Sequence, residues 1–252
     1  MSLQEHLKEL DIYRATNNEE GIANVAFKLG DLYLKTGRWD EARAYMGEAE
    51  AICLRLGNEE GRAVAAIGLG DVCRASGNPE GARAYYRQAL EYFEKSENHE
   101  AIANLAERLG EAYRKSGDHA EALEAFRRGL EICRAHHDKL GAAHFSERLG
   151  LVHRSLDDLD AAMACFQEAL TFFEEHRVAD RLAFVLAGIG DLHQKRGRSV
   201  EALDYLGRAL GMYRRLGARV QADLIAAQIA ALDETSVEEE NTRNPSRPHN
   251  AG

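Results

Sequence analysis

The chain returns to the same pentapeptide every 40 residues. Leu29-Gly30-Asp31-Leu32-Tyr33 is followed by Leu69-Gly70-Asp71-Val72-Cys73, Leu109-Gly110-Glu111-Ala112-Tyr113, Leu149-Gly150-Leu151-Val152-His153 and Ile189-Gly190-Asp191-Leu192-His193. A fixed period of this size marks a stacked array, in which each unit buries its apolar face against its neighbours. It directs the 252 residues into one elongated array rather than two ordinary globular domains.

Each period reads as two helices. The first carries an i, i+3, i+4, i+7 stripe, seen in Ala23, Ala26, Phe27, Gly30 and Tyr33. It stops at Gly37, Gly77, Gly117 or Gly197, where glycine takes a left-handed backbone at little cost. Asp157 fills that slot once, and Asp tolerates the region better than most residues. The second helix starts at once. Asn78-Pro79 reads as a cap with proline at the first helical position, and Asp118 with Glu121 has capping-box spacing. The lone Trp39 leads into one of these second helices and reads as a packing residue.

The units are 20–57, 58–97, 98–137, 138–177 and 178–217. A half-repeat helix over 1–19 precedes them, and a capping helix over 218–233 follows. The stretch 234–252 holds almost nothing to bury and reads as a disordered tail.

Glycine inside an exposed helix costs about 1 kcal/mol against alanine, so something must offset Gly30, Gly70, Gly110, Gly150 and Gly190. Close approach of a second backbone is the usual reason. The recurring Ala42, Ala82, Ala122, Ala162 and Ala202 are the expected neighbours, with the helices nearest at pairs such as Gly30/Ala42.

A formal charge of −10 argues against a nucleic-acid or anionic-membrane binder, which needs Lys and Arg to neutralise phosphates. Cys53, Cys73, Cys133 and Cys165 form no C-x-x-C pair and sit inside helical patterns, as core thiols of a reducing compartment do. There is no signal-peptide pattern at Met1 and no apolar run of membrane-spanning length, so a cytoplasmic location is expected. His136, His137, His144 and His153 gather in the third and fourth repeats, but His153 and His193 replace Tyr33 and Tyr113 at one repeat position. They read as packing or surface residues, and no metal or cofactor is expected. No phosphate loop, nucleophile elbow or H-E-x-x-H occurs, and no enzyme is expected.

Leu29-Gly30, Tyr33, Gly37, Ala42 and Tyr45 or Met46 together resemble the tetratricopeptide repeat, in a 40-residue variant similar to Leu-Gly-Asn adaptor and bacterial scaffold repeats. The resemblance covers residues 1–233. It implies an all-α fold, a right-handed α-solenoid of antiparallel helix pairs, whose first helices line a concave groove. By family register that groove shows Asn24, Phe27, Asp31, Leu34 and Lys35, then Val64, Ile67, Asp71 and Arg74, then Asn104, Glu107, Glu111, Arg114 and Lys115. His144, Glu147, Leu151 and Arg154 come from the fourth repeat, and Phe184, Asp191, Gln194 and Lys195 from the fifth. The carboxylate clamp of some family members is not expected, because Phe27, Asp31 and Gly68 stand in its slots.

Two ladders run along these positions, acidic at Asp31, Asp71, Glu111 and Asp191 and basic at Arg74, Arg114 and Arg154. They read either as i, i+3 ion pairs near helix C-termini or as a polar track for a bound peptide. The expected role is a non-enzymatic scaffold or adaptor that binds a peptide or helix of another protein. The alternatives are a regulatory sensor of a small signalling peptide and a scaffold that self-associates weakly through an incompletely capped end.

Overall fold

The computed structural model describes residues 2–243, with side chains through residue 233. These residues form helices only, and the chain divides into two compact units, Met1–His136 and His137–Gly252. The first unit holds α1 (Leu3–Ala15), α2 (Glu19–Lys35), α3 (Trp39–Arg55), α4 (Glu59–Ala75), α5 (Pro79–Lys95), α6 (His99–Ser116) and α7 (His119–Ala135). The second holds α8 (Lys139–Ser155), α9 (Leu159–Glu175), α10 (Ala179–Lys195), α11 (Ser199–Arg215) and α12 (Arg219–Arg243). Each unit is a stack of antiparallel pairs, α2 with α3 and so on to α10 with α11, so the fold is an all-α solenoid.

Local chemistry sets the helix ends. Gly37, Gly77, Gly117 and Gly197 have positive φ, and so does Asp157 at +59°. The Arg38 amide, just past Gly37, donates to the Tyr33 carbonyl at 2.9 Å, which closes the last turn of α2. The Asn18, Asn58, Asn78, Asn98, Asp138 and Asp158 side chains accept from the amide three residues on. Asp118 does not. Its carboxylate is taken by the Arg83 guanidinium instead, so the expected capping box of α7 is absent. The missed box is at α1, where Ser2 and Glu5 satisfy each other's amides.

A side chain at each of the recurring helical glycines would first meet a large residue of the second helix. A Cβ added at Gly30 would lie 2.7 Å from Met46, and one at Gly70 would lie 2.5 Å from Tyr86. Gly110, Gly150 and Gly190 face Phe126, Phe166 and Leu206 in the same way. Each glycine is thus a notch for the large side chain one turn beyond the recurring alanine. The alanines Ala42, Ala82, Ala122, Ala162 and Ala202 are fully buried beside it. Burying such a side chain contributes about 1.5–3 kcal/mol, which offsets the helix penalty of the glycine. Met46 and Phe166 are also bounded by Gly68 and Gly188 of the following repeat, so one side chain wedges into two first helices.

Some differences from the sequence reading remain. Trp39 is 41% exposed rather than packed. The last helix runs to Arg243, ten residues beyond the expected boundary at 233. Glu-rich sequence with no glycine or proline before Pro245 gives it no stop signal. The rest of the expected tail, 244–252, lies outside the described residues.

The notch predicts opposite signs for one substitution at two helical glycines. Gly70→Ala should lower the urea midpoint, by about 1–3 kcal/mol of overpacking against Tyr86. Gly47→Ala, on a face of α3 with no atom within 4 Å, should raise it by up to about 1 kcal/mol.

Candidate functional site

In each unit one pair of first helices comes closer than the second helices beside it. α2 touches α4 and α8 touches α10, whereas α3 with α5 and α9 with α11 approach less. The expected recognition positions lie on the first helices of the two units.

In the first unit, Asn24, Asp31, Lys35 and Asn104 are exposed, while Phe27 and Ile67 are half-buried. Asp71 is the hub. It accepts from the Tyr86 hydroxyl at 2.7 Å, from Arg74 at 3.4 Å and from Arg108 of the next first helix. Arg114 donates to Glu111 through two nitrogens, at 2.9 and 2.7 Å. The i, i+3 pairs Asp71–Arg74 and Glu111–Arg114 are thus both formed.

Arg108 escaped the sequence reading. The signal was there, because it stands where the second and fifth repeats have Gly68 and Gly188. Where glycine lets a wedge side chain through, arginine instead reaches across to the acid of the preceding repeat.

Burial drives the Tyr86 phenol up to about 12, with the Asp71 charge and hydrogen bond pushing the same way. Burial also raises the Asp31 carboxyl above its usual range, opposed by Lys35 and assisted by the Asp71 charge.

In the second unit, Phe184 is 37% exposed, and Lys195 is exposed beside Asp157 at 3.5 Å. His144 is half-buried, edge-on to Phe173 with ring centres 5.7 Å apart. Arg154 donates to Asp191 at 3.4 Å, one repeat on. Glu147 corrects the sequence reading. It is only 1% exposed and accepts from Arg181 at 3.2 Å, so it is an internal ion-pair partner rather than a groove residue. Leu151 is buried too.

The second helices carry their own ladder. Arg14 with Glu48, Arg128 with Glu94, and Arg208 with Glu174 tie successive second helices at a constant spacing of 34 residues. Among the described residues no three His, Cys, Asp or Glu side chains are placed to hold a metal, and no helix is long and apolar enough to cross a membrane.

Stacked antiparallel helix pairs with internally paired charges define a helical-repeat solenoid. The sequence matches the tetratricopeptide repeat over residues 21–95, 61–135 and 139–215, and the chain belongs to that family. No curated protein matches it. Among solved structures, BtubC from P. vanneervenii is similar at 18% identity and a TM-score of 0.75, over 85% of this chain and 91% of that one. The apo form of RapI is similar at 15% identity and a TM-score of 0.80, over 94% and 69%. A Rap protein complexed with Competence and Sporulation Factor is similar at 16% identity and a TM-score of 0.60, over 94% and 72%. These likenesses concern the fold.

The Asp71 hub can be read by alkaline titration. A phenol whose folded pKa lies above its unfolded value of 10 stabilises the fold below pH 10, and that stability is lost as pH rises through about 12. Tyr86→Phe should therefore flatten the loss of stability over that window. Asp71→Asn should move the Tyr86 phenol down toward 10, followed by phenolate absorbance.

Proposed function

We propose that this chain is a non-enzymatic protein-interaction scaffold whose first-helix face binds an extended peptide or a helix of a partner protein. The observation that carries the reading is a division of labour along that face. Asp71, Arg74, Glu111, Arg114, Arg154 and Asp191 are bonded to one another or to neighbouring helices. Asn24 and Asn104 are exposed, their side chains form no hydrogen bond or ion pair with another described residue, and they sit at one repeat position with Val64, 42% exposed, at that position between them. An asparagine amide can donate and accept together, which is what a peptide backbone offers in return. Val64 supplies an apolar contact for a side chain in the same line.

The charge ladders then hold the helices in place, and the uncharged positions do the reading. A small signalling peptide is a second ligand class, supported by the likeness to the Rap protein that holds Competence and Sporulation Factor. A reducing cytoplasmic compartment agrees with four free cysteines, three of them buried.

Selection of a displayed random peptide library on the folded chain tests the reading. Enriched peptides should lose about tenfold or more in affinity on Asn24→Ala/Asn104→Ala, with helicity unchanged. Peptides that bind the double variant equally well, or a library that yields none, would contradict it.

A further inference from the structure

The third repeat lacks a ring that its sister repeats supply. Ala125 stands where the first, second and fifth repeats have Tyr45, Tyr85 and Tyr205, and the fourth has Cys165. Tyr45 stacks on Tyr33 with ring centres 5.5 Å apart and planes 5° from parallel. Tyr205 stacks on His193 in the same way, at 5.4 Å and 12°. Tyr113 keeps the first-helix half of this pair in the third repeat, but the second-helix half is only a methyl group.

A cavity of about 250 Å³ lies at that place. Ile102, Ala106, Leu109 and Tyr113 of α6 form its floor, with Leu90 of α5 and Ala125 of α7 beside them. These are the repeat positions that the sister tyrosines cover. Tyr45 packs against the cluster that holds Leu10, Leu29 and Tyr33, and Tyr205 against the one that holds Leu170, Leu186 and Ile189. Leu10 and Leu170 are the counterparts of Leu90, and Leu29 and Ile189 those of Leu109. Arg83 and Arg87 approach the Tyr113 ring, 5.2 and 5.7 Å from its centre, and Arg87 donates to its hydroxyl, yet the cavity remains beside them.

Size and charge say what fits. Pockets for drug-sized molecules run to roughly 300–1,000 Å³, so this one suits a single ring. Stacking on Tyr113 favours an aromatic ring over an aliphatic one of equal area. At the rim, Arg128 is taken by Glu94, whereas Glu121 and Glu124 are exposed and form no ion pair among the described residues. The rim therefore suits a ring carried next to a cation.

We propose that this cavity binds the aromatic side chain of a partner polypeptide, a tyrosine or phenylalanine flanked by lysine or arginine, with its ring placed on Tyr113 as Tyr45 is placed on Tyr33. A side chain fits better than a free aromatic compound because the charged groups lie at the opening, where the chain flanking the ring passes. The site is separate from the asparagine positions. Residues 102, 106, 109 and 113 share one side of α6 by their spacing, and Asn104 is on the opposite side. Either site can therefore fail without the other.

Methyl NMR of the full chain with labelled alanine tests the proposal, using p-cresol, tyramine and a capped Lys-Tyr-Lys peptide as probes. Saturable shifts are expected at the Ala106 and Ala125 methyls. Affinity should rise from p-cresol to tyramine to the peptide, each step adding about two- to fivefold, the worth of an exposed ion pair. Ala125→Tyr supplies the ring from within, so it should abolish the Ala106 shifts and raise the urea midpoint. Tyr113→Leu should weaken p-cresol by about two- to tenfold, the worth of an aromatic pair. Glu121→Gln/Glu124→Gln should leave p-cresol unchanged and erase the gains of tyramine and the peptide. An absence of saturable shifts, equal shifts with cyclohexanol, or probe affinities indifferent to Ala125→Tyr and Tyr113→Leu would overturn the site. Tyramine that binds while the peptide does not would overturn the polypeptide as its source.

Discussion

A glycine notch filled by one large side chain is the contact on which the rest of this structure depends. Met46, Tyr86, Phe126, Phe166 and Leu206 each enter a first helix at Gly30, Gly70, Gly110, Gly150 or Gly190. A methyl group added at these glycines would lie 2.4–2.8 Å from the entering side chain, so the notch constrains both the distance between paired helices and their register. Repeating one contact at a constant period gives an array held together by nearest neighbours. The helix penalty of each glycine is small beside the burial of the ring or thioether that it admits.

This contact also determines which residues are left for recognition. A first helix spends one face on its own partner and another on the preceding second helix. Its remaining face is freed from packing, but most of its charges are not free. Asp71 alone gathers Tyr86, Arg74 and Arg108, and Arg108 stands where a second glycine would otherwise admit a wedge. The ion pairs thus belong to the scaffold, and the proposed ligand reading rests on uncharged positions such as Asn24, Val64 and Asn104. Glu147 follows the same logic. In the groove register, it is drawn inward by Arg181.

Much of this was legible in the sequence because it is periodic. Helix starts, the positive-φ turns and the recurrence of Gly30 and Ala42 follow from local chemistry repeated five times. What escaped was aperiodic or lay between repeats. The repeat showed that Gly30 needs a neighbour without showing that Met46, one turn past Ala42, would be it. Asp118 looked like a capping residue because capping is local, and only the fold brings Arg83 to it. The helical run from 234 to 243 was read as disorder because it has nothing to bury. Helix continuation needs only the absence of a stop signal.

A double-mutant cycle at Gly110 and Phe126 tests the notch most directly, with stability read from reversible urea unfolding. In the native background Gly110→Ala should be destabilising. In a Phe126→Ala background the ring that occupies the notch is gone, and the same Gly110→Ala change should become neutral or stabilising by up to about 1 kcal/mol, as alanine's helix preference dictates. Equal destabilisation in both backgrounds would mean that the glycine answers to something other than the ring, and the packing rule would fall with it.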